Sequence, residues 1–280
     1  MDIRYSANQN DFKRYTTQEI RDEFLIEKLF LPDEMVAVYS HVDRMVTMGC
    51  MPVNSTVSID KGIDVLKAFG AKFLLERREI GIFNIGDTGE ITVDGKIFPM
   101  GHKDCLYIAM GSKDVCFKSA DPDSPARFYM VCAPAHKSFE TKLITVENAA
   151  KRPLGTVETA NKRVIYQFIH PDVLESCQLC MGLTELDEGS VWNTMPAHTH
   201  ERRMEVYFYF KIPEDQVVFH LMGESSETRH IVLRSEQAVI SPSWSIHAGC
   251  GTSRYSFIWA MGGENKEFDD MDGIATSELR

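Results

Sequence analysis

Little in this 280-residue sequence is basic: 30 lysines and arginines stand against 41 aspartates and glutamates, for a formal charge of −11. That balance works against nucleic acid or an anionic membrane as a partner, because both select a positive surface. No helix-turn-helix pattern or basic patch offsets it. No uninterrupted apolar run approaches the roughly 20 residues needed to cross a bilayer, and the opening Met1-Asp-Ile-Arg-Tyr-Ser lacks a basic-then-apolar signal pattern, so a cytoplasmic protein is expected. Cysteines number seven, an odd count that suits reduced thiols rather than a disulfide framework. The lone Cys177-Gln-Leu-Cys180 has no second pair and lies among apolar, strand-like neighbours, so it reads as structural. With 44% hydrophobic and 25% charged residues, nothing marks the chain as disordered.

Histidines are few, 9 in all, yet two of them fall in one dense stretch of fifteen residues, Pro196-Ala-His-Thr-His-Glu-Arg-Arg-Met-Glu-Val-Tyr-Phe-Tyr-Phe210. In an extended segment the period of two points His198 and His200 to the same face. Glu205 is an odd number of residues further on, so it joins that face only if Glu201-Arg202-Arg203 turns. A third histidine, His247, follows in Ile240-Ser-Pro-Ser-Trp-Ser-Ile-His-Ala-Gly249, where a Pro- and Ser-punctuated bend delivers it ahead of a glycine-rich turn. Three imidazoles and a carboxylate form an N/O set suited to zinc, iron, manganese or nickel, with no thiolate required. Past Glu205, Tyr207 and Tyr209 share its face and alternate with Val206, Phe208 and Phe210.

The spacing H-x-H-x4-E followed by P-x4-H resembles the two metal motifs of the cupin superfamily. Trp192, Ile212, Glu236 and Trp244 stand where the general pattern has glycine, and Gly251 replaces its final Asn, so this match rests on the ligands and Pro242. A closer resemblance is to the 5-keto-4-deoxyuronate isomerase family. It is carried by Trp192 to Phe210, Thr228-Arg-His-Ile-Val, Gln237 to His247 and Phe268-Asp-Asp-Met-Asp, and in the first half by Tyr39-Ser-His-Val-Asp-Arg44 and Phe73-Leu-Leu-Glu-Arg-Arg-Glu79. The resemblance covers nearly the whole chain. It implies zinc at His198, His200, Glu205 and His247, one ion per chain, and a homohexamer. It further implies conversion of 5-dehydro-4-deoxy-D-glucuronate to 3-deoxy-D-glycero-2,5-hexodiulosonate during breakdown of pectin-type uronides.

Read in order, the chain promises an all-β fold: a duplicated cupin-type β-barrel of the jelly-roll kind, with a few short peripheral helices. Thr16-Thr-Gln-Glu19 is a capping box, and Ile20, Phe24, Ile26, Leu29 and Phe30 continue at roughly helical spacing to Pro32. A second short helix is expected between Asp60 and Phe69, ending at Gly70. Short strands with regular turn signals then argue a barrel or sandwich. Residues 1–150 are expected to form an N-terminal arm, a helix and a first barrel; residues 151–280 form the metal-binding barrel. Glu76-Arg-Arg-Glu79 echoes Glu201-Arg-Arg-Met-Glu205, but Phe73, Leu74 and Leu75 replace the histidine pair and no histidine lies between Gly111 and Val115. The first barrel is therefore expected to hold no metal. The acidic Phe268 to Asp272 tail reads as a solvated turn or as a surface for a neighbouring subunit.

A site of three histidines and a glutamate with open positions belongs to catalysis rather than to a sealed structural ion. Bound to a hydroxy-aldehyde, such an ion lowers the cost of charge developing as a carbon loses its proton. Arg202 and Arg203 are the first choices for an anionic substrate's carboxylate, because a guanidinium binds it bidentately and they adjoin the ligands. Tyr207 and Tyr209 are candidates for proton transfer, with His41, Arg44, His220 and His230 behind them. The ligand set alone leaves open an iron-dependent cupin oxygenase and a non-enzymatic sugar-acid-binding protein.

Overall fold

The computed structural model describes residues 1–280, in which the alternating runs pair into two seven-stranded sheets, two four-stranded sheets and a two-stranded ribbon. Contacts divide the chain into two compact units that interleave rather than part at residue 150. The first holds Met1–Arg4, Lys28–Ala150 and Phe168–Leu179; the second holds Tyr5–Glu27, Lys151–Gln167 and Cys180–Arg280. The helical segment near the N-terminus thus belongs with the second unit, because its apolar residues Phe12, Ile20, Phe24 and Leu25 join that unit's core.

That helix is shorter than its apolar spacing suggests. Thr16 and Glu19 form the expected capping box, but the helix spans only Thr17–Phe24, and Leu25 at its end is extended. Leu25 and Ile26 instead form an edge strand, paired with Val239 and Ala238. Sheet pairing and burial override helical spacing once two β-capable residues can complete an edge. The second helix is Val65–Phe69, capped by the Asp64 side chain and closed by Gly70 in the left-handed conformation.

In the first unit the large sheet has the order Asp2–Arg4, Met35–Ser40, Val46–Cys50, Phe128–Pro134, Arg78–Asn84, Cys105–Ile108, Lys142–Ile144. The other large sheet runs Ala150–Leu154, Arg163–Ile169, Cys180–Leu186, Ser256–Gly263, Arg203–Phe210, Gln237–Ser241, Leu25–Ile26. Each is accompanied by a four-stranded sheet. These are Val57–Ser58, Val115–Ser119, Gly89–Val93, Lys96–Met100 and, in the second unit, Trp192–Asn193, Ile246–Gly251, Val218–Glu224, Glu227–Leu233. The repetition of order is the duplication that the local sequence echo suggests.

Register refines the echo. Arg78 opens its strand opposite Pro134, as Arg203 opens its strand opposite Gly263. Ile80, not Glu79, therefore stands where the second unit has Glu205. Hairpin register likewise puts Phe117, opposite Ile91, where His247 stands opposite Met222. Ile80 and Phe117 lie in an apolar core with Ile82, Ile91 and Met130. Glu79 points the other way. It accepts backbone N–H bonds from Cys177, Gln178 and Leu179, each at 2.7 Å, and the Tyr107 hydroxyl at 2.6 Å, a buried carboxylate fully satisfied as a structural clamp.

Candidate active site

The strand Arg203–Phe210 is central in the second unit's sheet and buried at every residue. Its period of two sends Glu205, Tyr207 and Tyr209 to one side, and the latter two join the aromatic interior with Tyr255, Phe257 and Trp259. Just before it, Glu201 and Arg202 form a tight turn, with the Arg203 N–H donating to the His200 carbonyl at 3.1 Å. This turn returns Glu205 to the face of the histidines. His198 is fixed separately: the short strand His198–Thr199 pairs with Asp272–Gly273 in the C-terminal tail.

His247 arrives from the four-stranded sheet, and the four side chains converge. Glu205 Oε2 lies 3.2 Å from His200 Nε2 and 3.0 Å from His247 Nε2, and the Nε2 atoms of His247 and His198 are 3.0 Å apart. One donor atom from each residue falls within 4.8 Å of every other. Donors about 2.0–2.2 Å from one shared ion lie roughly 3 to 4.4 Å from each other, so the three contacts of 3.0–3.2 Å fit a divalent cation and the widest separation needs only a small inward shift. The far sides of the rings agree: His200 Nδ1 faces the Arg203 carbonyl at 2.9 Å and His247 Nδ1 faces the Ser245 carbonyl at 3.3 Å. With N–H directed outward, both Nε2 lone pairs point into the cluster. No other group of three or more potential ligands is present, and the first unit has none.

Electrostatics follow the same geometry. Burial, then the neighbouring His247, push the His198 imidazole down to about 3. Burial opposes protonation of His200 too, but the Glu205 carboxylate outweighs it and raises that imidazole. Burial alone would raise Glu205, yet His247 and His200 together hold it well below the usual carboxylate range.

Beside the cluster lies a cavity of about 230 Å³ lined by His198, Glu205, Tyr207, Thr184, Thr194, Arg163, Trp259 and, toward the tail, Arg152, Phe268 and Asp269. Tyr207 Oη is 3.0 Å from Thr194 Oγ1, which also accepts the Asn193 side-chain amide at 2.9 Å. Burial first, and then the Glu205 charge, raise the Tyr207 phenol well above its ordinary value, which favours the protonated form. Thr184 Oγ1 and Trp259 Nε1 are buried without any hydrogen-bond partner, although both residues line the cavity. Arg163 gives one N–H to the Asn161 carbonyl at 2.8 Å and pairs with no carboxylate; burial lowers its pKa.

Two expectations about neighbours of the cluster are corrected. Arg202 and Arg203 do not line the cavity. Arg202 binds Asp270 and Asp272 at 2.5 and 2.9 Å, and Arg203, fully buried, donates to the Glu267 and Asp270 carbonyls at 2.6 and 2.8 Å. The acidic tail has claimed both, so the guanidiniums available to an anion in the cavity are Arg163 and Arg152, the latter 2.8 Å from Asp269. Tyr209 is also removed from the site: its hydroxyl is 2.8 Å from His220 Nδ1, and His220 Nε2 is 3.3 Å from Ser241 Oγ. Of the remaining candidates, His230 is exposed against Phe219, and His41 and Arg44 belong to the first unit. Arg163, Thr184 and Trp259 escaped sequence reasoning because they come from strands outside the motif. All seven cysteines are free thiols.

Comparison with known proteins agrees with this architecture. The KduI/IolB family matches residues 37–275. Proteins named 4-deoxy-L-threo-5-hexosulose-uronate ketol-isomerase from Enterobacter sp. and from Escherichia coli O9:H4 are 55% and 54% identical over 280 residues, covering all of both chains. Among solved structures, an IolB-like protein from Salmonella typhimurium aligns with a TM-score of 0.68 at 11% identity, covering 82% of this chain and 87% of that one. Lactobacillus farciminis oxalate decarboxylase aligns with a TM-score of 0.56 at 10% identity, covering 84% and 80%. The fold is the duplicated cupin-type barrel expected from the sequence.

Proposed function

This chain belongs to the KduI/IolB family, and on that premise we propose how it works as an aldose–ketose isomerase on 5-dehydro-4-deoxy-D-glucuronate, with 3-deoxy-D-glycero-2,5-hexodiulosonate as product. The observation that carries the reading is the convergence of His198, His200, Glu205 and His247, two of which, His198 and Glu205, stand at the wall of a largely apolar cavity with a few polar groups. Full-length relatives at 54–55% identity that bear the ketol-isomerase name favour it over an oxygenase or a sugar-acid-binding protein.

The four residues would hold the ion, and zinc is the metal we assign to their three nitrogens and one oxygen. When bound, it supplies Lewis acidity toward the oxygens of the reacting hydroxy-aldehyde. The chain supplies the rest. Arg163, free of carboxylates, takes the uronate carboxylate. The unpartnered Thr184 hydroxyl and Trp259 indole N–H meet substrate hydroxyls, which relieves the cost of leaving them buried and unpaired. Thr194, anchored by Asn193, donates to Tyr207, which leaves the phenol proton directed at the substrate oxygen whose charge changes. The family resemblance also supports a homohexamer working in cytoplasmic breakdown of pectin-type uronides; no helix is long and apolar enough to cross a membrane.

The reaction moves a hydrogen from the hydroxyl-bearing carbon to the aldehyde carbon. We assign proton removal and return rather than a hydride shift: Asp269, the cavity carboxylate outside the ligand set, takes the carbon-bound proton and returns one to the aldehyde carbon, while the protonated Tyr207 phenol serves the reacting oxygens. Turnover in deuterium oxide is expected to place one deuterium on the terminal hydroxymethyl carbon of the product, seen by proton NMR as loss of half that methylene signal. A product without solvent deuterium there, even after many cycles of the reverse reaction, overturns the proton route.

A further inference from the structure

We propose that the first unit, which lacks the metal ligands, carries its own oxyanion site, for the carboxylate of a small sugar acid or for a phosphate. The site is a cavity of about 270 Å³ whose lining includes Arg44, Arg77 and Arg78 with Tyr39 and Phe69, and no carboxylate. It opens at the end of the sheet where Arg78 begins its strand and Pro134 ends its own. Behind it the barrel interior is closed by apolar side chains such as Leu74 and Ile80, so it is a mouth that offers charge without a metal.

Arg77 and Arg78 are held but not neutralised. Arg78 is only 7% exposed, with its guanidinium 4.6 Å from the Phe69 ring centre and 5.6 Å from that of Tyr39. It donates to the Arg44 carbonyl at 2.9 Å. Arg77 donates to the Phe69 and Gly70 carbonyls at 3.2 and 2.7 Å. None of the three forms an ion pair with an acidic side chain, in a chain of formal charge −11. Neutral carbonyls and aromatic rings fix the Arg77 and Arg78 guanidiniums while their charge stays available, and the exposed Arg44 adds a third charge at the rim, an arrangement that receives an oxyanion through paired N–H donors. A buried cation without a counter-charge is costly, and an anion would offset that cost. The volume suits a six-carbon acid better than a bare ion.

The test is calorimetric titration of D-galacturonate, and separately of inorganic phosphate, into the metal-loaded full-length protein carrying Arg163→Met, which weakens carboxylate binding in the cavity of the second unit. The same titrations are made with Arg44→Met and Arg77→Met added; Arg78 is left in place because its burial invites a folding defect. Saturable binding of at least one probe, weakened tenfold or more by the added pair, is expected. Galacturonate as the stronger probe assigns the site to sugar acids, and phosphate as the stronger assigns it to phosphate-bearing ligands. Absence of binding for both probes, or binding that the added pair leaves unchanged, overturns the proposal.

Discussion

Arg163 and the pair Arg202 and Arg203 show how a residue's role follows from its partners rather than from its place in the sequence. Arg202 and Arg203 adjoin the ligands in the chain, yet both spend their donors on the tail, whereas Arg163, some 35 residues earlier in sequence, keeps its charge for the cavity. Replacing Arg163 with methionine is expected to raise KM by about 10- to 100-fold, the loss of one charge-assisted contact of about 1.5–3 kcal/mol, with kcat much less affected. An unchanged KM would move the carboxylate to Arg152. Another residue-scale consequence concerns His220, enclosed by Tyr209 and Ser241, whose imidazole burial pushes down to about 3. The unfolded chain protonates this histidine near 6.5 and the folded chain does not. Its contribution is therefore complete above about pH 6.5 and is lost as pH falls toward 3, by at most about 1.4 kcal/mol per pH unit. Denaturant titrations of the metal-free protein across that range check this: His220→Asn is expected to flatten the slope by about one proton, and a slope equal to wild type would contradict the assignment.

At the scale of elements, the tail is the part whose work the sequence concealed. Phe268 to Asp272 reads as acidic and solvated, but it pairs with the strand that bears His198, engages both arginines of the ligand turn, and sets Phe268 5.1 Å from Trp259. Arg202 and its partners lie at the surface, so its ion pairs add little to global stability. Their local effect is on His198. Arg202→Met is expected to shift Tm by a few degrees at most and to speed metal release to a chelator by about 2- to 5-fold; release at the wild-type rate would show that the tail does not hold the site. What was legible in advance had local causes. The H-x-H period, the turn before Glu205 and the capping box of Thr16 each lie within a few residues. The early end of the Thr17–Phe24 helix, the edge strand at Leu25–Ile26 and the unpartnered Thr184 and Trp259 depend on neighbours far away in sequence. The echo of Glu79 and Glu205 misled by one residue, and in a strand one residue reverses the face.

For the whole molecule, two barrels of the same strand order carry opposite interiors. The first closes its centre with Ile80 and Phe117, and the second opens its centre to Glu205 and His247 at equivalent register. Duplication thus leaves the interior of the first barrel apolar and gives the second its group of candidate metal ligands. Elemental analysis joined to the isomerase assay on wild type and His247→Ala tests whether His198, His200, Glu205 and His247 form a single metal centre on which isomerisation depends. One equivalent of metal per wild-type chain is expected, with activity lost on chelation and restored by zinc, and a folded His247→Ala protein with neither metal nor activity. Two equivalents per chain, or full turnover by metal-free protein, would contradict it.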